Sequence, residues 1–156
     1  LDMFKRTRKD IAVVTRCETD IWNITADRSQ MEHVVMNLLI NASEAMPGNG
    51  RICVETKNIV LHKKQVRLDK TVSGKFVMVG IEDNGNGIDK EMIPRVFDPF
   101  FTTKPLGAGT GLGLASVYGI VDNHGGFSTV ESTRGKGSCF SIFLPADASK
   151  EDKQKV

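Results

Sequence analysis

The spacing of apolar residues along the chain predicts two long helices. Between residues 27 and 46, apolar side chains recur at intervals of three and four positions, which is typical of a helix with one buried face. The Pro-Gly-Asn-Gly sequence at 47–50 ends this helix. The second helix covers 112–123, and a shorter helical turn is expected to begin at Asp89. The rest of the chain is expected to form strands and loops.

Six short runs rich in β-branched and aromatic residues predict strands. The runs lie at 11–17, 21–25, 51–61, 75–83, 127–133 and 138–145. The first two are expected to form one hairpin and the last two another, while residues 62–74 are interpreted as a polar loop. The run at 75–83 has almost no polar interruption, so it is expected at the centre of a sheet.

The order of these elements determines the expected fold class. Strands occur in adjacent pairs and helices are few, which favours a two-layer α/β (α+β) sandwich over a doubly wound sheet. In such a sandwich the helices cover one face of a mixed, mostly antiparallel sheet. The length of 156 residues suits one domain, which we place at 11–146, with a linker or helix stub at 1–10 and a tail or linker at 147–156.

Composition and charge exclude several classes of protein. A net charge of +2 provides no broad basic surface for nucleic acid. No apolar run approaches the roughly 18 residues of a membrane span, and no secretory signal begins the chain. We therefore expect no contact with nucleic acid or membrane, and a cytoplasmic location. Because the sequence opens on Leu1, we expect it to be part of a longer protein.

The three cysteines predict neither a zinc site nor a disulfide framework. Cys17, Cys53 and Cys139 are far apart and odd in number, and each lies in an apolar run that resembles a strand. We expect them to be buried free thiols, which fits a reducing compartment.

Polar residues on the first long helix form a stripe beside its apolar face. Asn37, Asn41 and Glu44 are spaced four and three residues apart, so they lie on one side of the helix. Asparagine is a mediocre helix former, so two of them in mid-helix require an explanation. The amides either bond a neighbouring loop or direct oxygen atoms at a hydrated cation such as Mg²⁺, which is often shared with phosphates. Taken alone, these residues favour the first interpretation.

A second candidate site is the sequence EDNGNGID at 82–89. Asn-Gly pairs form turns in many proteins, which is the simplest interpretation. However, Asp83 ends a strand that is otherwise apolar, where a carboxylate has to be paired or hydrogen-bonded. It would be able to accept a hydrogen bond from an exocyclic amine, such as N6 of adenine. Gly85 and Gly87 would allow the backbone to approach a flat ring closely.

The segment FDPFFTTKPLGAGTGLGL at 97–114 combines aromatic residues with glycines and prolines. A long loop of this kind is more often functional than a simple connection. Its three phenylalanines either dock onto another surface or fill the core of the domain itself. The glycines match neither the P-loop nor the dinucleotide fingerprint. Instead, the segment is expected to begin a helix whose N-terminal amides are accessible to phosphate oxygens. The residues of this helix start are Gly109, Thr110, Gly111, Leu112 and Gly113.

Together these segments resemble one protein family. HVVMNLLINASEAM, EDNGNGID, VFDPFFTTK and GTGLGLASVYGIVDNHGG are similar to the N, G1, F and G2 boxes of sensor histidine kinases, and they occur in the same order. The resemblance covers roughly residues 10–145 and is nearest to kinases of the nitrogen-regulation and PAS-linked type. It implies a catalytic, ATP-binding domain with the Bergerat fold, in which a five-stranded sheet packs on about three helices.

The resemblance also implies roles for individual residues. Asn41 would be the Mg²⁺ ligand, Asp83 would bond adenine N6, and Ser138 would contact adenine through water. Residues 95–110 would form a mobile lid that is poorly ordered without nucleotide. The other residues implied in ATP binding are Asn37, Glu44, Gly85, Gly87, Ile88, Phe97, Thr102, Thr103, Lys104, Gly109, Thr110, Gly111, Leu112, Gly113 and Leu114.

Some positions depart from the pattern of related proteins. Glu44 stands where many relatives have Lys or Arg, and Thr102 where many have an Arg of the lid, so Lys104 is expected to supply positive charge. ATPases of the same fold have a glutamate four residues before the metal-binding asparagine, where this chain has Asn37. An amide is unable to act as a base, which argues against efficient ATP hydrolysis and for transfer to another acceptor.

The phosphoacceptor is expected on another domain. His33, His62 and His124 lack the acid and proline that follow an acceptor histidine in the family, so we expect all three to be structural or solvated. The chain would act on a separate dimerisation and phosphotransfer domain of its parent kinase, serve a response regulator indirectly, and be a monomer by itself. Two alternatives remain open: an anti-sigma-type serine kinase of the same fold, and a non-enzymatic interaction domain.

Overall fold

The computed structural model describes residues 1–102 and 112–148, in which five strands form a single sheet. The strands are β1 (Ile11–Cys17), β2 (Gly50–Arg67), β3 (Lys70–Asp83), β4 (Phe127–Thr133) and β5 (Gly137–Pro145). They are arranged in the order β1-β2-β3-β5-β4. β1 is parallel to β2, and the other neighbouring strands are antiparallel. This confirms the expected mixed, mostly antiparallel five-stranded sheet.

Three α-helices are found in the same residues: α1 (Asp2–Thr7), α2 (Arg28–Glu44) and α3 (Gly113–Asn123). α2 begins where the sequence predicts, because the side chain of Asp27 caps it by accepting a hydrogen bond from the N–H of Gln30. α3 ends at the expected glycines, where Gly125 has a φ of +78°. The turn expected from Asp89 begins there, since the N–H of Met92 donates to the carbonyl oxygen of Asp89, and a 3-10 turn follows at Ile93–Arg95. None of the three helices has the length and hydropathy of a membrane span.

The core lies between the two longer helices and one face of the sheet. Leu38 and Leu39 of α2 are each 1% exposed, and Val117 and Val121 of α3 are fully buried. They belong to one cluster with alternate residues of the central strands, which include Ile52, Ile81, Phe140 and Ile142. Since successive side chains of a strand point to opposite faces, these residues share the face that the helices cover. The two-layer sandwich is therefore confirmed.

The first ten residues are attached to this core. Phe4 of α1 is buried within the core cluster. Arg8 donates hydrogen bonds to the carbonyl oxygens of Ser43 and Met46 at the end of α2. The negative end of a helix dipole stabilises a cation in this position. The domain boundary at residue 10 stays a prediction, but the preceding segment packs as part of the domain.

Replacing Leu38 with alanine is expected to lower the free energy of unfolding by about 2–5 kcal/mol, because it leaves a cavity in the core. Ile40 on the same helix is 43% exposed, so Ile40→Ala is the matched control, with an expected loss below about 1 kcal/mol. Urea denaturation followed by circular dichroism measures both losses. Equal losses in the two variants would contradict this packing of α2.

The hairpin predicted from residues 11–17 and 21–25 is wrong. Residues 21–25 are not a strand, and β1 instead pairs in parallel with β2. Parallel strands need a long crossover, and α2 lies within that crossover. The segment after β1 is held by side chains of β2, because the N–H of Trp22 donates to Oδ1 of Asn58.

The interpretation of residues 62–74 as a polar loop is also wrong. β2 and β3 continue through this range as a hairpin arm that turns at residues 68–69. Val66 and Val72 of the arm pack against a second apolar cluster, which consists of Phe76, Met78, Phe127 and Phe143. By strand alternation this cluster lies on the sheet face opposite the helices. The arm therefore covers apolar surface that the helices do not reach.

The cysteines are free, as expected, but they are not fully buried. Cys17 is exposed, and Cys53 and Cys139 are half-buried. The sequence of an apolar run does not predict how exposed a given cysteine is, because successive residues of a strand alternate between the helix side and the opposite side of the sheet. Partial burial raises the pKa of the Cys139 thiol above its ordinary value, and a hydrogen bond with Ser141 opposes that shift.

Candidate functional site

A row of polar side chains crosses the sheet at the C-terminal end of β3. Strand register places Asp83 of β3 opposite Ser138 of β5, and Ser138 opposite Ser132 of β4. The next row on the same face is apolar and consists of Ile81, Phe140 and Val130. Asp83 is 4% exposed and Ser138 is 5% exposed. Buried polar groups at the end of an apolar face form the floor of a candidate site.

Asp83 is held by backbone donors. Its carboxylate accepts a hydrogen bond from the N–H of Gly85 at 2.9 Å. Burial raises the pKa of this carboxyl above its ordinary value, the backbone N–H groups of Gly85 and Ser138 oppose the shift, and the charge of Glu82 adds a smaller increase. A carboxylate has about four acceptor positions, so Asp83 keeps acceptor capacity for a ligand.

Ser132 connects this row to the loop after β3. Its Oγ accepts a hydrogen bond from the N–H of Ile88 at 2.7 Å and donates to the carbonyl oxygen of Gly137 at 3.0 Å. It also lies 2.7 Å from the Oγ of Ser138. The sequence analysis did not identify Ser132. Its position opposite Ser138 in the β4–β5 hairpin is the signal that would have found it.

Close contacts with the protein's own backbone leave no room for a Cβ at the two glycines that follow Asp83, Gly85 and Gly87. A Cβ at Gly85 would lie 2.5 Å from the carbonyl oxygen of Ala45, and a Cβ at Gly87 would lie 2.2 Å from that of Thr133. Gly87 also has a φ of +71°, which disfavours other residues. The end of α2 and the β4–β5 hairpin therefore approach these glycines closely, and a ligand ring beside them stays a prediction.

An open cavity of about 1030 Å³ lies between the end of α2 and the loop after β3. Four of the expected site residues border it: Gly85, Gly87, Ile88 and Thr102. Met92 and Phe101 contribute apolar surface, while Arg134 lies at its edge in an ion pair with Asp89. The sequence analysis missed Met92 and Arg134, because neither belongs to a motif with a recognisable spacing.

α2 brings Asn37, the first residue of its polar stripe, close to the start of α3. Asn37 and Asn41 are half-buried, and Glu44 is exposed. The amide oxygen of Asn37 lies 3.8 Å from the position that a Cβ would take at Gly113. In residues 1–102 and 112–148, neither asparagine side chain has a hydrogen-bond partner. Both amides are therefore available to a ligand.

Among the described residues, α3 begins without a capping hydrogen bond from the side chain of its N-cap residue. Leu112 occupies the N-cap position and is 43% exposed. The first N–H groups of a helix lack partners within it and carry partial positive charge. Gly113 and Leu114 lie in this first turn, beside Asn37. This is the arrangement that anion binding at a helix N-terminus requires.

The three phenylalanines of residues 97–101 have different environments. Phe97 is half-buried, and its ring lies 5.4 Å from the Tyr118 ring and 6.2 Å from the Phe140 ring. Phe101 also packs against the core. Phe100 is 73% exposed. Phe97 and Phe101 therefore fill the core of the domain, whereas Phe100 is available for docking onto another surface.

Five of the expected ligand residues lie outside the described residues, together with part of the expected lid. They are Thr103, Lys104, Gly109, Thr110 and Gly111. Their roles, and the expectation that the lid is poorly ordered without nucleotide, stay predictions.

The histidines occupy structural or exposed positions. His124 accepts a hydrogen bond from the N–H of Asp27 through Nε2, and its Nδ1 lies 2.7 Å from a carbonyl oxygen of α3. His33 Nε2 lies 3.2 Å from Oγ of Ser116. His62 is exposed on β2. The expectation that none of the three is a phosphoacceptor stays a prediction.

Comparison with known families identifies the class of this domain. The family model described as "Histidine kinase-, DNA gyrase B-, and HSP90-like ATPase" matches residues 26–148. The chain belongs to this family. The matched range contains every residue assigned to the candidate site above.

Several named relatives are sensor kinases. The sensor kinase CckA of Brucella abortus is 42% identical over 138 residues, which are 88% of this chain and 15% of CckA. The sensor histidine kinase ZraS of Escherichia coli (strain K12) is 37% identical over 131 residues, which are 84% of this chain and 25% of ZraS. The chain thus spans a quarter or less of the length of these two relatives.

Solved structures share the fold. The nucleotide-free catalytic domain of histidine kinase ThkA has a TM-score of 0.73 at 28% identity, covering 93% of this chain and 86% of its own. The mycobacterial sensor histidine kinase MprB has a TM-score of 0.72 at 28% identity, covering 95% of this chain and 90% of its own. The fold implied by the resemblance to histidine kinases is therefore confirmed.

Proposed function

We propose that the chain binds ATP with Mg²⁺ and transfers the γ-phosphate to a histidine on a separate dimerisation and phosphotransfer domain. The observation that carries the proposal is Asp83, a buried acceptor at the end of an apolar sheet face in a member of an ATPase family. The nitrogen-regulation or PAS-linked subtype of the parent kinase is part of the same proposal.

Asp83 would recognise the adenine ring. Its carboxylate is fixed by the N–H of Gly85 and keeps acceptor capacity for the N6 amine. Ser138, opposite Asp83 on β5, would hold a water that contacts the same edge of the ring. Ile88 and Met92 border the cavity and would supply apolar surface for the ring faces.

The triphosphate would extend towards the N-terminus of α3. The uncapped N–H groups of this helix attract phosphate oxygens, and Asn37 lies beside them. Lys104 and the glycines of the lid would add contacts that neutralise and enclose the phosphates.

The donor set of α2 fits a magnesium ion. The amide oxygens of Asn41 and Asn37 are hard ligands, and both side chains lack other partners in the described part of the chain. No group of His, Cys, Asp and Glu side chains in residues 1–102 and 112–148 is suited to a metal ion. As the resemblance to histidine kinases implies, Asn41 would hold the ion together with the nucleotide phosphates and water. When bound, Mg²⁺ neutralises charge on the phosphates during transfer.

The site would favour transfer over hydrolysis. A histidine nitrogen of the acceptor attacks the γ-phosphorus while the bond to the β–γ bridging oxygen breaks, which gives phosphohistidine and ADP. The proton of that histidine would be taken by an acid residue beside it on the acceptor domain. Asn37 stands where a water-activating glutamate would be needed, and an amide is unable to accept that proton.

Transfer to a separate domain implies further partners for the chain. The parent kinase would supply the phosphoacceptor, and a response regulator would receive the phosphate from it. The chain alone would be a monomer in the cytoplasm, and it would not contact nucleic acid or membrane.

A transfer assay tests the proposal. The chain is mixed with γ-labelled ATP, Mg²⁺ and the histidine-bearing domain of the parent protein. We expect acid-labile label on that domain, and none when either protein is left out. Acid-stable label on serine would identify a serine kinase instead, and absence of ATP binding in calorimetry would identify a non-enzymatic domain. The relatives named as histidine kinases favour neither alternative.

A further inference from the structure

The hydroxyl of Ser132 makes three contacts that use its full hydrogen-bonding capacity. A hydroxyl has one hydrogen to donate and two lone pairs that accept. The carbonyl oxygen of Gly137 accepts only, so the hydrogen of Ser132 points to it, across 3.0 Å. One lone pair accepts the N–H of Ile88 at 2.7 Å, and the other is left for Ser138 at 2.7 Å.

These contacts favour one direction for the hydrogen bond between the two serines, whose geometry allows either oxygen to donate. If Ser132 gives its hydrogen to the Gly137 carbonyl oxygen, Ser138 is the donor in the bond between them. The Ser138 oxygen therefore has only lone pairs left for any other contact. Asp83 lies opposite Ser138 and is also an acceptor, so the buried floor presents two acceptors side by side.

Two adjacent acceptors that face position 6 of a purine favour a donating group at that position. An amine donates to them directly. A water held by both would give its two hydrogens to Asp83 and Ser138, and it would then present only lone pairs to the ligand. In either case the floor matches a ligand atom that donates, such as the 6-amino group of adenine. A 6-oxo group would meet an acceptor and lose that hydrogen bond.

We propose that Ser132 is a positioning residue that sets the base preference of the nucleotide site, by holding Ser138 as an acceptor. Ser132 does not itself contact the base. The inference rests on the proposed function, because it assigns the polarity of the proposed adenine site to a residue outside that site. Without the Ser132 hydroxyl, the hydrogen of Ser138 is free to turn towards a ligand and donate to a 6-oxo group.

Binding of ATP and of inosine triphosphate, its 6-oxo analogue, tests this inference. Titration calorimetry with the complete chain and Mg²⁺ gives the ratio of the two dissociation constants. We expect the wild type to prefer ATP, and Ser132→Ala to reduce that preference by about ten-fold, the effect of roughly one neutral hydrogen bond. Ser132→Thr keeps a hydroxyl and is expected to restore the wild-type ratio.

Ser128→Ala is the matched control. Ser128 lies on the same strand, and its Oγ is buried without a hydrogen-bond partner in the described part of the chain. We expect this variant to keep the wild-type ratio. A Ser132→Ala variant that weakens both nucleotides equally, or leaves the ratio unchanged, would overturn the inference, because Ser132 would then only support the loop.

A double-mutant cycle with Ser138→Ala gives a second, independent result. If Ser132 acts through Ser138, the Ser132 substitution changes the ratio no further once Ser138 is alanine. Additive effects of the two substitutions would contradict the inference. Wild-type chain that binds neither nucleotide would refute the proposed function, and this inference with it. Wild-type chain that binds ATP, with a ratio unaffected by Ser132→Ala, would refute this inference alone.

Discussion

The Asp83→Asn variant is expected to lose ATP affinity by about 100-fold or more while remaining folded. An amide has one acceptor oxygen where the carboxylate has two. If that oxygen keeps the N–H of Gly85, the amide nitrogen has to point its hydrogens at the N6 amine, and two donors then face each other. Titration calorimetry measures the affinity, and circular dichroism confirms the fold.

Glu82→Gln is the matched control for this variant. Glu82 is the preceding residue of β3, but it is exposed and lies on the opposite face of the sheet. The same chemical change there is expected to alter ATP affinity by less than about two-fold, a surface effect. Normal ATP binding by Asp83→Asn would show that adenine is recognised elsewhere.

The Asn41→Ala variant is expected to reduce phosphotransfer by about 100-fold or more at saturating ATP. The substitution removes an amide oxygen that lacks other partners in the described residues and would hold the metal ion. Charge stabilisation by a metal ion in the transition state is worth several kcal/mol, which sets this magnitude. The initial rate of acid-labile labelling of the acceptor domain is the measurement.

Asn123→Ala provides the comparison for Asn41→Ala. Asn123 is the last residue of α3 and is exposed, so the same truncation there is expected to leave the rate within about two-fold of the wild type. If Asn41→Ala transfers phosphate at the wild-type rate at low and high Mg²⁺, Asn41 is not the metal ligand.

Local patterns predicted those elements whose partners are close in sequence. The period of α2 and the β4–β5 hairpin were both predicted from short segments, because each is stabilised largely by its own residues. The pairing of β1 with β2 was not predicted. Its partner β2 begins more than thirty residues later, and only the completed sheet distinguishes that parallel pairing from a local hairpin.

The hairpin arm at residues 62–74 also shows that local sequence does not predict a strand pair whose stability comes from distant residues. Val66 and Val72 are isolated among polar residues, so the arm has no visible apolar face. It becomes a strand pair because it covers an aromatic cluster that β3, β4 and β5 assemble. A strand that is stabilised by packing on a distant surface carries little of that information in its own sequence.

The candidate site was predicted in part for the same reason. Asp83 was identified because a carboxylate at the end of an apolar strand is conspicuous, and the structure shows that it is buried. Ser132 was missed, because its importance depends on being opposite Ser138 and within reach of Ile88. The glycines after Asp83 were identified as places of close approach, but their contacts with the end of α2 and the β4–β5 hairpin were not foreseen, because those elements are distant in sequence.

A crystal structure of the chain with Mg²⁺ and a non-hydrolysable ATP analogue would show the proposed adenine, phosphate and metal contacts together. We expect adenine N6 within about 2.7–3.2 Å of the Asp83 carboxylate, and phosphate oxygens at the N-terminus of α3. We also expect the Asn41 amide oxygen to coordinate the metal ion. An analogue bound elsewhere, for example against Arg134 and Asp89 with Asp83 uncontacted, would contradict the proposed site.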